Sequence, residues 1–340
     1  MNPEQISTIN KLLESPKNII VIGHKNPDGD AIGSCLGLAN FLRQKGHQVT
    51  TLMPNDFPEF LEWIPEAKDI TIYSQELKKS EEIIKKADII FTLDFNELNR
   101  VGELQKPLEK VNCDFVLIDH HQQPGNYATV TYSDVTICST SQMVYHFIES
   151  LDGLDLLNNE IATQLYVGIM TDTGSFRFPA TTATTHRVVA NLIENGAKNS
   201  EIHQNVYDTN SPDRLKLLAV ALKNLTILTS YNTAYITLSQ EELSNHTFKK
   251  GDTEGFVNYA LSISGVVFAV IFIENKSEDI VKISLRSKGS FSVNEFSRSH
   301  FNGGGHTNAA GGRSYLSLNE TVKEFINILP NYKKALHYGS

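Results

Sequence analysis

Residues 18–34 read NIIVIGHKNPDGDAIGS, and this stretch decides the fold. The run NIIVI is short, apolar and rich in β-branched residues, which predicts a strand buried on both faces, as parallel sheets require. Pro27, Asp28 and Gly29 then mark a turn. From Asp30 onward Ile32, Cys35, Leu38, Ala39 and Leu42 recur at helical spacing, and Gly46 is a natural stop. Strand, short polar loop and helix make half of a βαβ unit.

The alternation extends outward from this unit. A short amphipathic helix is expected over 4–14. HQVTTLMP (47–54), ADIIFTLD (87–94) and CDFVLID (113–119) read as strands, and 121–134 as loop. Residues 76–86, 139–150, 160–171 and 181–196 read as helices. Strands alternating with helices predict an α/β fold: a parallel sheet with helices on both faces. The pattern changes near residue 200. A connecting helix is expected over 212–228, three strands in TAYITLS (233–239), GVVFAVIFIE (265–274) and DIVKISLRS (279–287), and helices over 252–263 and 319–338. This is a smaller mixed α/β domain. The expected division is 1–195, a helical linker 196–229, and 230–340.

Bulk properties narrow the function. A chain of 340 residues suits about two domains. Its formal net charge of −9 provides no field for a long nucleic-acid duplex, whereas a small anionic substrate needs only a local positive site. The three cysteines, Cys35, Cys113 and Cys138, lie among apolar residues without CxxC spacing, which predicts buried free thiols. The N-terminal segment lacks a signal-type apolar core, and the run 265–273 is too short to span a bilayer. A cytoplasmic protein without membrane contact is expected.

Four segments carry the chemistry. The first strand runs into His24, Asp28 and Asp30; IIFTLDFN ends at Asp94; FVLIDHH ends at Asp119, His120 and His121; and an apolar helix runs into Asp172 in GIMTDTGSFRF. In open α/β sheets ligands sit outside the carboxyl ends of the strands, so these groups should share one edge. Any one Asp or His at a strand end is usually a cap or a solvated loop residue. Several gathered at one edge would repel unless a cation sat among them, and Asp with His suits divalent Mn²⁺ better than Mg²⁺. The number of groups suffices for two ions sharing a carboxylate. In the second domain FNGGGHTNAAGG (301–312) offers consecutive glycines whose N–H groups can face an anion, and Arg286 at a strand end suits a phosphate. No GxSxG elbow is present and no GxGxxG follows the first strand, which argues against serine hydrolase and dehydrogenase chemistry.

In combination, HKNPDGDAIGS, TLDFN, DHH, TDTG and GGGHTNAAGG resemble the motifs of DHH phosphoesterases carrying a DHHA1 domain, in the family's order and over nearly the whole chain. The compact two-domain layout looks like the branch of nanoRNases and 3′-phosphoadenosine 5′-phosphate (pAp) phosphatases. The resemblance implies that His24, Asp28 and Asp94 hold one metal ion. It implies that Asp30, Asp94, His120 and Asp172 hold the other, with Asp94 bridging. It gives His121 a contact with the scissile phosphate and Asp119 the orienting of a histidine. Arg286, Gly303, Gly304, Gly305 and His306 would bind the nucleotide end of the substrate, and Arg100, just past TLDFN, is a weaker candidate for a phosphate contact. The implied enzyme hydrolyses short oligoribonucleotides and pAp with two divalent ions, Mn²⁺ or Mg²⁺. A cyclic or linear dinucleotide phosphodiesterase shares these motifs. An inactive nucleotide-sensing or RNA-binding module would lack metal positions, and none is missing. A homodimer is compatible with all of this.

Overall fold

The computed structural model describes residues 1–249 and 251–338. The chain forms two compact units, Met1–Thr209 and Asn210–Ser340.

The first unit contains helices α1 (Pro3–Leu12), α2 (Gly29–Gln44), α3 (Leu77–Lys85), α4 (Gln105–Leu108), α5 (Thr140–Ser150), α6 (Asn159–Asp172), α7 (Ala183–Glu194) and α8 (Asn199–Tyr207). Its strands are β1 (Asn18–Ile22), β2 (Gln48–Met53), β3 (Thr71–Ile72), β4 (Ile89–Leu93), β5 (Asp114–Asp119) and β6 (Val130–Ser133). They form one sheet in the order β3-β2-β1-β4-β5-β6, with every pairing parallel. The order reverses between β1 and β4, which opens a crevice at their carboxyl ends. Ile19–Ile22 and all of β4 are buried, as the continuous apolar runs require.

Helices α2 and α6 cross at close range because α2 carries Gly29, Gly33 and Gly37 on one stripe. A Cβ at Gly33 would lie 2.4 Å from the Gln164 carbonyl oxygen and 3.0 Å from the Gly168 nitrogen. A Cβ at Gly29 would meet Thr171 and one at Gly37 would meet Leu165. This close crossing sets the start of α2, which bears Asp28 and Asp30, beside the end of α6, which bears Asp172.

The second unit contains α9 (Pro212–Lys223), α10 (Gln240–Ser244), α11 (Phe256–Leu261), α12 (Val293–His300), α13 (Leu318–Ile328) and α14 (Lys333–Tyr338). Its strands are β7 (Thr226–Leu228), β8 (Thr233–Leu238), β9 (Phe268–Asn275), β10 (Ile280–Ser287), β11 (Gly304–His306) and β12 (Ala309–Ser314). The sheet order is β11-β12-β10-β9-β8-β7, antiparallel except for the parallel β8/β9 pair. Phe268, Phe272, Phe296, Phe301 and Phe325 fill its core.

Several local expectations are corrected. Val130–Ser133 is a strand inside the expected loop, short and with alternating burial at the sheet edge. The helix expected over 212–228 ends at Lys223, and Thr226–Leu228 pairs with β8. Pro330, which cannot donate to a helix ladder, lies in the 3₁₀ turn that breaks the 319–338 helix into α13 and α14. Gly255 at φ +80 delays the start of the helix expected from 252. Helix α8 lies within the expected helical linker 196–229; it has no side-chain cap and buries only Ile202. Cys35 and Cys138 are buried free thiols and Cys113 is half-buried. Among the described residues no helix is long and apolar enough to cross a membrane.

Candidate metal centre

The crevice side of the first sheet collects the residues singled out from sequence. His24 follows β1, Asp94 follows β4, Asp119 closes β5 ahead of His120 and His121, and Asp172 closes α6. Asp28 is the N-cap of α2 and accepts from the Asp30 and Ala31 N–H groups at 3.0 and 3.1 Å. Asp94 lies at the middle. Its backbone adopts φ +64, a left-handed conformation that costs a non-glycine residue of order 1–3 kcal/mol and persists where the surroundings enforce it.

The two oxygens of Asp94 face different groups. Oδ2 lies 3.5 Å from His24 Nε2, which is 3.9 Å from Asp28 Oδ1. Oδ1 lies 3.5 Å from His120 Nε2, which is 3.6 Å from Asp172 Oδ2 and 3.9 Å from Asp30 Oδ2. His24, Asp28 and Asp94 form one set with the spacing of metal ligands, and Asp30, His120 and Asp172 form another. The imidazoles are oriented for ligation. His24 Nδ1 lies 2.9 Å from the Lys25 carbonyl and His120 Nδ1 lies 3.1 Å from the Ile137 carbonyl. A carbonyl can only accept, so each Nδ1 carries a proton and each Nε2 is turned to the acids, where it bears the second proton in the metal-free protein and can ligate once that proton is lost. His121 is set differently: its Nδ1 is 2.7 Å from Asp119 Oδ1, and Asp119 is fully buried.

The electrostatics show what the cluster needs. Burial, then the Asp94 and Asp172 carboxylates, push the Asp30 carboxyl well above its usual range. Burial likewise pushes Asp172 to about 6. Burial opposes charge on His24, but its hydrogen bond to Asp94 and the fields of Asp28 and Asp94 prevail and push it up to about 9. Asp94 is also disfavoured by burial, yet the His120 and His24 hydrogen bonds hold it well below the carboxylate range. In the metal-free protein, protons held on His24 and Asp30 offset the crowding of acids. Asp and His donors converging on both faces of one carboxylate fit divalent ions in the place of those protons.

Sequence reasoning missed the opposite wall. The N-terminus of α5 donates Thr140 N–H to Asp30 Oδ2 (2.7 Å), Ser141 N–H to Asp30 Oδ1 (2.8 Å) and the Thr140 hydroxyl to Asp94 Oδ1 (2.9 Å). The only sequence signal was Ser139 at an N-cap position. Arg100 is exposed in the 3₁₀ turn after β4, and its carbonyl accepts from Lys25 N–H at 2.9 Å.

In the second unit Arg286 pairs in register with Ala309, and Ala309 with His306. The three lie in one row, so Arg286 and His306 share a face of the sheet about 10 Å apart along the ladder. The glycines of 303–305 also answer packing demands. A Cβ at Gly303 would fall 1.9 Å from the Gly311 carbonyl oxygen, and one at Gly305 (φ +152) would fall 2.5 Å from that of Ala309. The Gly305 N–H donates to Asn294 Oδ1 at 3.0 Å. Close packing of the β11/β12 hairpin thus accounts for Gly303 and Gly305, whereas Gly304 has no such close clash.

The family model described as "DHH family, N-terminal domain" matches residues 18–169, and that of the DHHA1 domain matches residues 230–333. The bifunctional oligoribonuclease and PAP phosphatase NrnA of Thermus thermophilus is 32% identical over 307 residues, covering 90% of this chain and 86% of the relative. The chain belongs to the DHH family. Bacillus subtilis NrnA, also named a bifunctional oligoribonuclease and PAP phosphatase, is 28% identical to this DHH chain over 301 residues, 87% of it and 89% of the relative. The crystal structure of an exopolyphosphatase-related protein from Bacteroides fragilis superposes with a TM-score of 0.94 at 38% identity, covering 99% of this chain and 98% of that one.

Proposed function

We propose that this DHH-family phosphoester hydrolase cleaves short oligoribonucleotides and releases the 3′-phosphate of pAp to give AMP, using two divalent ions held by the first unit. The observation that carries the metal reading is Asp94, whose Oδ2 and Oδ1 each lie 3.5 Å from a histidine Nε2 of a separate ligand set. His24, Asp28 and Asp94 would hold one ion, and Asp30, Asp94, His120 and Asp172 the other, Mn²⁺ in preference to Mg²⁺. Such ions bring down the pKa of a bound water and offset charge on the phosphoryl oxygens. The substrate assignment is supported by the names of the Thermus and Bacillus relatives, whose similarity extends over both domains.

The chain's own groups have distinct tasks. Asp119 accepts from His121 Nδ1–H at 2.7 Å and so orients the ring. We assign His121 Nε2 to the scissile phosphate and to protonation of the leaving oxygen. Arg286, Gly303, Gly304, Gly305 and His306 are assigned to the nucleotide end of the substrate, and Arg100 to a second phosphate contact.

A substrate panel tests this: di- to pentaribonucleotides, longer RNA, pAp, cyclic dinucleotides and pyrophosphate, each with Mn²⁺ and after exhaustive chelation. Turnover of short RNA and pAp that disappears on chelation and returns with Mn²⁺ is expected. Turnover that survives chelation defeats the metal reading. A preference for cyclic dinucleotides replaces the substrate assignment with a cyclic-dinucleotide phosphodiesterase.

A further inference from the structure

We infer that Thr140 is the positioning residue for the bridging carboxylate, fixing Asp94 so that each of its oxygens addresses one ion. The inference rests on the two-metal reading above.

Three observations lead to it. First, the Thr140 hydroxyl is surplus to helix capping. Ser139 already fills that need, its Oγ accepting from the Gln142 N–H at 3.0 Å. The fully buried Thr140 instead donates to Asp94 Oδ1 at 2.9 Å. Second, Asp94 needs an external hold. Its backbone is left-handed, and its own N–H is tied to the Ile118 carbonyl at 3.2 Å, so main-chain strain alone does not choose the carboxylate rotation. Rotation of the carboxylate would abandon one histidine set or the other. Third, the same helix end grips Asp30 through the Thr140 and Ser141 N–H groups. The positive end of the α5 dipole therefore faces Asp30 and Asp94, two of the three buried acids of the cluster. All three hydrogen bonds fall on the side of Asp30, His120 and Asp172, and none on the side of His24 and Asp28.

That asymmetry separates positioning from general support of the fold. Thr140→Val keeps the shape and the backbone donor and removes only the hydroxyl. Thr140→Ser keeps the hydroxyl and removes only the methyl. We would titrate Mn²⁺ alone into the full chain, reading free Mn²⁺ by electron paramagnetic resonance, and record the melting of the metal-free protein in parallel. The wild type should bind a pair of ions. In Thr140→Val one of the two affinities should fall about 10-fold or more, the range seen when a partner of a metal ligand is lost, while the other moves much less. Thr140→Ser should restore both.

Equal loss at both sites, unchanged affinities in the Val variant, or failure of Ser to rescue would each overturn the assignment. If the Val variant does not fold, Thr140→Ala carries the same expectation. A wild-type chain that binds no pair of Mn²⁺ ions defeats the metal reading and takes this inference with it. A pair bound equally by wild type and Val variant defeats only the role of Thr140.

Discussion

Gly33→Ala probes how the fold delivers the acids to one place. In an ordinary helix interior the change would stabilise by about 0.5–1 kcal/mol, since alanine is the better helix former. Here the new Cβ would sit 2.4 Å from the Gln164 carbonyl oxygen and 3.0 Å from the Gly168 nitrogen. Both are backbone atoms of α6, so no side-chain rotation relieves the clash. A comfortable carbon–oxygen approach is about 3.3 Å, so α2 and α6 must part locally by about 1 Å. Overpacking of this kind costs roughly 1–3 kcal/mol, so after the helix gain the net loss centres on about 1 kcal/mol and reaches at most about 2.5 kcal/mol. For a unit of this size that is a fall in Tm of roughly 2–4 °C at the centre of the range and about 10 °C at its limit. Asp30 lies three residues before Gly33 and Asp172 four residues after Gly168, so the separation also opens the acid cluster, and Mn²⁺ affinity should fall with Tm. Gly37→Ala is the control. Its Cβ would approach the Leu165 Cδ2 at 2.6 Å, the end of a flexible side chain that can turn aside. The measurements are thermal melts by circular dichroism and a Mn²⁺ titration of both variants. Gly33→Ala melting at or above wild type, or no worse than Gly37→Ala, would refute the claim that backbone contact at this crossing holds the site together.

Asp94→Asn should remove nearly all turnover while leaving the fold intact, because the amide nitrogen cannot ligate on one side; near-normal rates would contradict bridging. His24, pushed up to about 9 from an ordinary value of 6.5, gives the metal-free protein stability that is fully present below pH 6.5 and lost as pH rises through 9. A metal ion must displace that proton, so Mn²⁺ affinity should climb with pH across this window, up to about tenfold per unit for one proton. Calorimetry at pH 7.5 in buffers of different ionisation enthalpy reads the released proton directly, and its absence would count against His24 as a ligand. Arg286→Ala should raise KM more than it lowers kcat if the guanidinium binds the substrate equally in ground and transition states. An unchanged KM would take Arg286 out of the site.

What was legible in the sequence follows from which physical signals are local. The apolar runs of β1, β4 and β5 and the acids and imidazoles at their ends are contiguous in the chain, so fold class and ligand types were readable from period and position alone. The glycine stripe of α2 was present in GDAIGSCLG, but its meaning depends on α6, a helix more than a hundred residues away whose approach no local pattern announces. Thr140 was hidden for the same reason: a hydroxyl one residue past an N-cap reads as ordinary helix chemistry until the carboxylate opposite is known. The glycine run 303–305 carries a demand that spacing alone does not show. Consecutive glycines suggest N–H groups turned toward an anion, yet two of the three are required because a neighbouring carbonyl occupies the space of their Cβ, and the Gly305 N–H is already held by Asn294. Residue type and spacing reveal what a cluster can ligate. The groups that aim it, the Thr140 hydroxyl as donor and the carbonyls behind His24 and His120 as acceptors, appear only when the backbone is folded, and they decide whether a set of ligands is also a preformed site.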